Sequence, residues 1–450
     1  MLTSTQSQQL NQLLNIVNEL TADSVSQWHQ TLAAEIRTAV DQIEHLMVAA
    51  NQAALVQQMA HVFSQQEQDI LKTLELPLKA LQNLVESGHL TENQKARLLV
   101  QLGKTHSLLT QWDIALDEFY RALDYCQVED SRNGEDLSQK AEILKSIGQI
   151  ESRKRDYYAS KAHYRESLAL YSQLKSPHHV AHIHICLGWN AFQTDNYSEA
   201  EANYQKALEI AADLAGAERL IGDAQMNLAI LATVRGNFQT AISYYEKSIH
   251  SYEAIGDERG VAQACYNMGM LYVDMKAWQQ AGKSYQKSLE HAQKHSDLYL
   301  IGHIHLSRTE LALQLMDLAL AQASCMQAVK VFGRLGSQSQ LAEAYKYAGQ
   351  IQHRRSAFGK AEPLFQKSIQ LAQACQSRLN QAEAHYEYGL MLLDKPDQNQ
   401  AKTQLNDALN LFTTLGADVD IQKTQTALAR LDSVETENSS GRRFKPINRS

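Results

Sequence analysis

Four histidines crowd one short stretch of the chain. His178, His179 and His182 form an HHxxH cluster, and His184 follows closely. His178 and His182 stand four apart, so on a helix they share one face, as zinc ligands do. No acidic residue stands among them, and they fall in a linker and at the start of a helix. That setting favours ordinary helix-surface histidines over a metal site. His303 and His305 are two apart and point to different helix faces. Basic residues gather where helices are expected to end: Arg153-Lys154-Arg155, Arg235 and His353-Arg354-Arg355. Such charges offset the negative end of a helix dipole; the functional alternative is a positive rim for an acidic peptide. Cys126, Cys186, Cys265, Cys325 and Cys375 are odd in number, scattered, and form no CxxC pair. That pattern fits reduced thiols in a cytoplasm, with no disulfide framework or zinc site. There is no Gly-rich phosphate loop, nucleophile elbow or paired-carboxylate motif. The expectation is a non-enzyme without metal or cofactor.

The totals say what elements must position these residues. In 450 residues there are 20 glycines and 5 prolines, so long stretches are free to be helical. Apolar residues at 44% and charged residues at 20% fit a soluble folded chain. A net charge of −8 argues against general attraction to nucleic acid or anionic membranes. The opening MLTSTQSQQLNQLL has no basic n-region or long apolar core, and runs such as Leu46 to Ala50 are too short to cross a bilayer. A cytoplasmic location is expected.

Laid on itself, the chain repeats. A small residue is followed nine positions on by an aromatic or apolar one. The pairs are Gly103/Trp112, Gly148/Tyr157, Gly188/Tyr197, Ala229/Phe238, Gly269/Trp278, Thr309/Leu318, Gly349/Phe358 and Gly389/Gln398. After the first step of 45 the small residues recur every 40 or 41 positions. Each unit then carries a small residue three positions on (Ala115, Ser160, Ala200 and so forth) and a bulky one four further (Phe119, Tyr164, Tyr204). Ala or Ser with an aliphatic neighbour follows, as at Ala122-Leu123 and Ser167-Leu168. Offsets of 3, 4 and 3 trace one helix face. The unit is therefore a pair of antiparallel helices that approach closely at the small residues. A second apolar stripe, such as Ile143, Ile147 and Ile150, cannot be buried by one pair, so the units must stack. Asp195-Asn196 and Gly236-Asn237 punctuate the turns within pairs; Ile255-Gly256-Asp257 and Leu335-Gly336-Ser337 punctuate those between pairs.

The pattern Gly…Tyr…Ala…Tyr…Ala-Leu resembles the tetratricopeptide repeat. Its spacing of about forty resembles the longer variant of kinesin light chains, the LGN/Pins adaptors and Rap-type regulators. The resemblance spans residues 96–433 and implies an all-α, right-handed α-solenoid superhelix of about eight helix pairs. Two units depart from it: the sixth carries Thr309 and Leu318, and the eighth has Pro396 and Gln398 at its turn; Pro363 lies inside the seventh unit's second helix. Pro363 should remove one backbone bond and bend the helix. Residues 1–95 read as a helical N-terminal bundle, with one degenerate repeat near 55–90 as a variant reading; Thr91 and Gln94 form a capping-box signal opening the array. Residues 418–433 read as a polar capping helix, and 434–450 as a disordered tail.

In the first helix of each unit, positions −3, −2, +1 and +5 from the small residue lie opposite the core stripe. They are expected to line the concave face and bind a partner. The candidates are Lys145, Gln149 and Arg153; Trp189; Met226, Asn227 and Ile230; Tyr266, Asn267 and Met270; and Lys346, Gln350 and Arg354. The resemblance implies that Asn227 and Asn267 hold a ligand backbone. An apolar, aromatic middle with a basic flank suits an acidic or amphipathic segment of a protein partner. The expected function is a scaffold or adaptor. The rival is a Rap-like regulator whose array senses a peptide and whose N-terminal bundle acts on a response regulator or transcription factor.

Overall fold

The structure is a computed structural model that describes residues 92–108, 111–126, 134–395 and 397–440, with Lys79, Gln82, Val85 and Glu86. The expected N-terminal bundle, apart from those last four residues and 92–95, lies outside the described residues, as do Thr91 and Pro396. Among the described residues there are seventeen α-helices and no strand. In chain order they are α1 (Glu92–Leu108), α2 (Trp112–Tyr125), α3 (Gly134–Arg153), α4 (Tyr157–Gln173), α5 (Pro177–Gln193), α6 (Tyr197–Ala211), α7 (Glu218–Val234), α8 (Phe238–Ala254), α9 (Glu258–Asp274), α10 (Trp278–Lys294), α11 (Leu298–Gln314), α12 (Leu318–Leu335), α13 (Gln338–Arg354), α14 (Phe358–Ala374), α15 (Arg378–Asp394), α16 (Gln398–Leu415) and α17 (Asp418–Ser440). Odd-numbered helices are the first members of the eight pairs and even-numbered ones the second; α17 closes the array.

The recurring small residue is a contact point for a ring. A Cβ on Gly103 would meet Phe119 at 2.9 Å, one on Gly188 would meet Tyr204 at 2.5 Å, and one on Gly349 would meet Phe365 at 2.7 Å. The ring that fills the gap thus stands sixteen positions on, in the second helix, and glycine lets it touch the first helix's backbone. The sixth pair solves the same problem differently. Thr309, fully buried, takes the glycine position, and Cys325 takes the ring position, so a larger residue faces a smaller one. The serines that alternate with alanine in the second helices are buried donors. Ser167 Oγ donates to Ala141 O at 2.7 Å, Ser248 Oγ to Gly222 O at 2.8 Å, and Ser368 Oγ to Ala342 O at 2.6 Å. Each satisfies its hydroxyl and ties the two helices of one pair.

The turns repeat as regularly. Arg155, Asp195, Gly236, Lys276, Met316 and Ser356 all have positive φ, and each stands seven positions past the small residue. The next amide then reaches back into the preceding helix, as Asn196 N does to Ala191 O at 2.8 Å. Asp156, Asn196, Asp317 and Asp397 cap the following helix through their side chains, whereas Asn237 makes no such bond. α14 runs without interruption through Pro363. The final helix extends to Ser440, past the expected tail boundary at 434; nothing in this polar stretch breaks a helix before Gly441.

The chain divides into two compact units, Met1–Ala264 and Cys265–Ser450. The division falls within α9, inside the array, and does not coincide with the boundary expected at 95. In the first unit α1, α3, α5 and α7 pack successively against one another. In the second, α11, α13, α15 and α17 do the same. First helices therefore share one side of each unit.

Candidate functional site

In the second unit, four successive first helices surround a cavity of about 400 Å³. α11 contributes Glu310 and Gln314; α13 contributes Glu343, Lys346, Tyr347, Gln350 and Arg354; α15 contributes Glu383, Tyr386 and Glu387; α17 contributes Asp420 and Lys423. Three residues expected at the surface, Lys346, Gln350 and Arg354, are therefore brought together there. Carboxylates, however, outnumber cations five to three in this lining.

The charges are not equally free. Lys346 is 7% exposed and forms an ion pair with Glu383. Burial alone would lower its pKa, but the carboxylates of Glu383 and Glu343 outweigh burial and raise it. Its ammonium also lies 4.7 Å from the Tyr347 ring centre. Lys346 is thus a buried structural cation, not the open basic group expected from the sequence. Lys423 pairs with Asp420 at 2.9 Å. Arg354 is exposed, with Nη1 3.8 Å from Met316 Sδ. The Tyr347 hydroxyl lies between Glu343 and Glu310, and the Gln350 amide lies beside Glu387. Burial pushes the Glu343 carboxyl up, Lys346 partly opposes this, and Glu383 and Glu310 add to it. Burial likewise raises Glu387.

The other candidates of the second unit lie on α9. Tyr266 OH is 3.1 Å from Ser307 Oγ on α11, and its ring lies 5.9 Å from that of Tyr285. Asn267 is buried, at 9% exposed, and Met270 is 40% exposed. Tyr266 and Asn267 therefore have packing roles, although both were expected to line the concave face and bind a partner. Met270 is the open member of the group.

In the first unit the expected residues fall on three helices. Lys145 pairs with Glu142 at 2.5 Å, and Glu142 also takes Lys104 at 3.1 Å and the Tyr171 hydroxyl at 3.0 Å. Burial works to raise the Glu142 carboxyl, but the two lysines prevail and hold it at about 2. Gln149 is half-buried and Arg153 exposed. Trp189, 41% exposed, stacks on Phe192 one turn along α5 with ring centres 5.8 Å apart. Met226, Asn227 and Ile230 are half-buried, and Asn227 Nδ2 donates to Asp223 O of its own helix at 2.9 Å.

The clustered basic residues at helix ends have a more specific partner than a dipole. Lys154 pairs with Asp113 at 2.5 Å, Arg235 with Glu201 at 2.6 Å, and Lys395 with Glu362 at 2.9 Å. Arg355 donates to Leu318 O at 3.0 Å. All four cations stand six positions past their unit's small residue, and each reaches the second helix of the preceding pair. They are ties between pairs. The histidine cluster is dispersed: His179 stacks on Tyr171 at 4.4 Å, His182 lies 3.9 Å from Cys186 Sγ, and His184 meets Asn203 at 2.9 Å. Among the described residues no group of three or more His, Cys, Asp or Glu could hold a metal ion. One buried pair gave no sequence signal: His106 Nδ1 lies 2.7 Å from Glu118 Oε2, and Gln82 reaches the same carboxylate.

The acidic cavity residues were missed for two reasons. Glu343 and Glu383 stand at position −6, one turn before the positions read as surface. Glu310, Tyr386 and Glu387 belong to the sixth and eighth units, whose altered motifs hid their register. Extending the same face by one turn, and carrying the register through those units, recovers them.

Residues 139–213 and 220–294 match the family model described as tetratricopeptide repeat. These are pairs two to five, and the other pairs repeat their geometry, so the array is built of tetratricopeptide-type repeats. Among solved structures, the chain is similar to a signal transduction ATPase with numerous domains carrying a tetratricopeptide repeat sensor, from Pyrococcus horikoshii. That similarity has a TM-score of 0.54 at 15% identity over 82% of this chain and 55% of that one. Aspartyl phosphate phosphatase F from Bacillus subtilis gives a TM-score of 0.52 at 11% identity, covering 86% of this chain and 95% of that one. The apo form of the quorum sensor NprR from B. thuringiensis gives 0.51 at 15% identity, covering 81% and 98%. At these identities the likeness is one of fold. Comparison with curated proteins gives no match.

Proposed function

We propose that the chain is a non-catalytic, cytoplasmic interaction scaffold that binds a segment of a protein partner on the face formed by its first helices. The observation that carries this reading is the cavity in the second unit. Four first helices, α11, α13, α15 and α17, converge on it, and its lining is rich in side chains able to hydrogen-bond an extended chain. Each unit has its own exposed apolar and positive contacts on this face, Trp189 and Arg153 in the first and Met270 and Arg354 in the second. The mixed lining favours an amphipathic segment over a purely acidic one, because the acidic cavity would repel the latter.

The test is photo-crosslinking from single sites in the whole protein. A benzoylphenylalanine at Tyr386 or at Gln350 should capture the same partner, and one at exposed Met326 on α12 should not. Capture from Met326 alone would move the binding surface to the second helices.

A Rap-like regulator is the second reading. It is favoured by the similarity in fold to phosphatase F and NprR, which spans 95% and 98% of those chains. In it, the array takes a peptide while residues 1–95 act on a response regulator or transcription factor. Crosslinkers placed within residues 1–95 of the full chain would then capture a second, different protein.

A further inference from the structure

We propose that the cavity of the second unit receives a guanidinium or ammonium group of the bound segment, between Glu310 and Glu343 beside Tyr347. This deepens, and rests on, the reading of the first-helix face as a peptide-binding surface.

The case begins with how the eight charges of the lining are spent. Lys346 is engaged by Glu383, and Lys423 by Asp420. Arg354 stands eleven residues from Glu343 on the same helix, roughly 16 Å along its axis at 1.5 Å per residue. It cannot sit among the carboxylates at the other end. Glu310, Glu343 and Glu387 remain; their polar neighbours are the neutral Tyr347 hydroxyl and Gln350 amide, and Lys346 acts on Glu343 and Glu387 only while it is held by Glu383. Glu343 and Glu387 are half-buried and Glu310 is exposed, so five carboxylates face three cations in a lining only partly open to water. Burial is the main cause of the upward shift of Glu343 and Glu387, and the nearby cations oppose it only in part.

The shape of the deficit selects the ligand. The site has about 400 Å³ of room, enough for a long side chain entering from the face. Its walls include the rings of Tyr347 and Tyr386, which a flat guanidinium can stack upon. A bare divalent ion is a poor fit, because no three carboxylates or histidines among the described residues stand close enough to ligate one. A neutral or anionic group would leave the carboxylates unmatched. A cationic side chain, or the free amine of a peptide, supplies the missing charge and donors together.

The probes are two pools of blocked hexapeptides with neutral random flanks, one with arginine at a central position and the other with citrulline, which keeps the shape but not the charge. Binding to the full chain is followed by fluorescence anisotropy. The arginine pool should bind at least tenfold more tightly. Glu343→Gln and Glu310→Gln should each reduce that preference severalfold, with the melting temperature unchanged or raised, since each removes a like charge. Met326→Ala, on α12 and outside the cavity, should leave the arginine-to-citrulline ratio as it was. The preference should also grow with rising pH, because the bound cation favours the ionised Glu343. Equal binding of the two pools, binding of neither, or a Glu343→Gln variant with the full preference would each overturn the proposal. If it fails while a crosslinker at Gln350 still captures the partner, the peptide-binding reading stands; if that capture is also lost, both fail.

Discussion

A Cβ on Gly269 would lie 2.5 Å from Cε1 of Tyr285, a separation that real Cβ atoms do not adopt. The ring is 2% exposed, and its neighbour Tyr266 leans on it, so it has little room to retreat. Replacing Gly269 with alanine or leucine should therefore overpack the fifth pair and cost about 1–3 kcal/mol in urea unfolding. Ala241, fully buried in the fourth pair, should respond likewise to leucine. Because each pair leans mainly on its neighbours, the loss should be local. Hydrogen exchange should quicken around residues 262–292 in Gly269→Leu and stay slow at 380–412. Uniform acceleration over the second unit would contradict a nearest-neighbour array.

The sixth pair offers the reverse experiment. Thr309 and Cys325 exchange the small-and-large order seen elsewhere, and both are buried. Cys325→Tyr alone should be destabilising, because Thr309 occupies the space that glycine leaves open. Thr309→Gly alone should also destabilise, by opening a gap and loosening the helix. The double variant should recover part of the loss, with a coupling of about 0.5–3 kcal/mol in a double-mutant cycle. Additive losses would show that the two side chains do not share one packing site.

Acid should weaken the first unit through His182. Burial, aided by Lys145, holds its pKa at about 4 against an ordinary 6.5. The unfolded chain therefore binds the proton more readily. Stability from the neutral ring is fully present above pH 6.5 and is lost as the pH falls towards 4. Between pH 7 and 4 the wild type should lose stability more steeply than His182→Gln, by on the order of 1–3 kcal/mol. His163 works in the opposite sense. The hydrogen bond it donates to Glu151 raises its pKa despite burial, so its contribution is present at low pH and is lost as pH rises through the raised value. Parallel pH profiles for wild type and His182→Gln would remove the histidine from this account.

The fold was legible because its determinants recur. Small residues, rings and alanine or serine return at fixed offsets, and one misread position is corrected by seven others. The candidate surface was legible only in part, because it is defined by where a helix face points and not by a residue type. Lys346 and Arg354 both stand at surface positions on α13, yet one is sealed against Glu383 and the other is open. That difference comes from α15, whose Glu383 is forty positions from Glu343 and belongs to a unit with a weakened motif. The His106–Glu118 pair was invisible for a related reason: a lone histidine and a lone glutamate on two helices carry no pattern until packing brings them to 2.7 Å. The basic helix ends show how tertiary partners, Asp113, Glu201 and Glu362, replace the simpler dipole account.

Trp189 and Arg354 are the cleanest probes of the surface itself. Tyr266 is not, because its hydroxyl meets Ser307 and its ring supports Tyr285; Tyr266→Ala should lower the melting temperature as well as any affinity. Trp189 is 41% exposed, and its packing partner on α5 is Phe192 one turn away. Truncating it should leave the melting temperature nearly unchanged. An aromatic anchor buried by a partner typically contributes 2 kcal/mol or more, so Trp189→Ala should weaken binding by about thirtyfold. Arg354 is an exposed charge at the cavity's edge, and Arg354→Ala should act mainly on the association rate. That effect should shrink as salt is raised from about 50 mM to 500 mM, where screening shortens the reach of surface charge. Calorimetry on Trp189→Ala with a partner captured from Ile230 of the same unit, and stopped-flow binding of Arg354→Ala with a partner captured from Gln350, check the two effects. If both variants bind with wild-type affinity and rates, the partner does not lie on the first helices, and the exposed side chains of α12, Leu320 and Met326, become the next surface to vary.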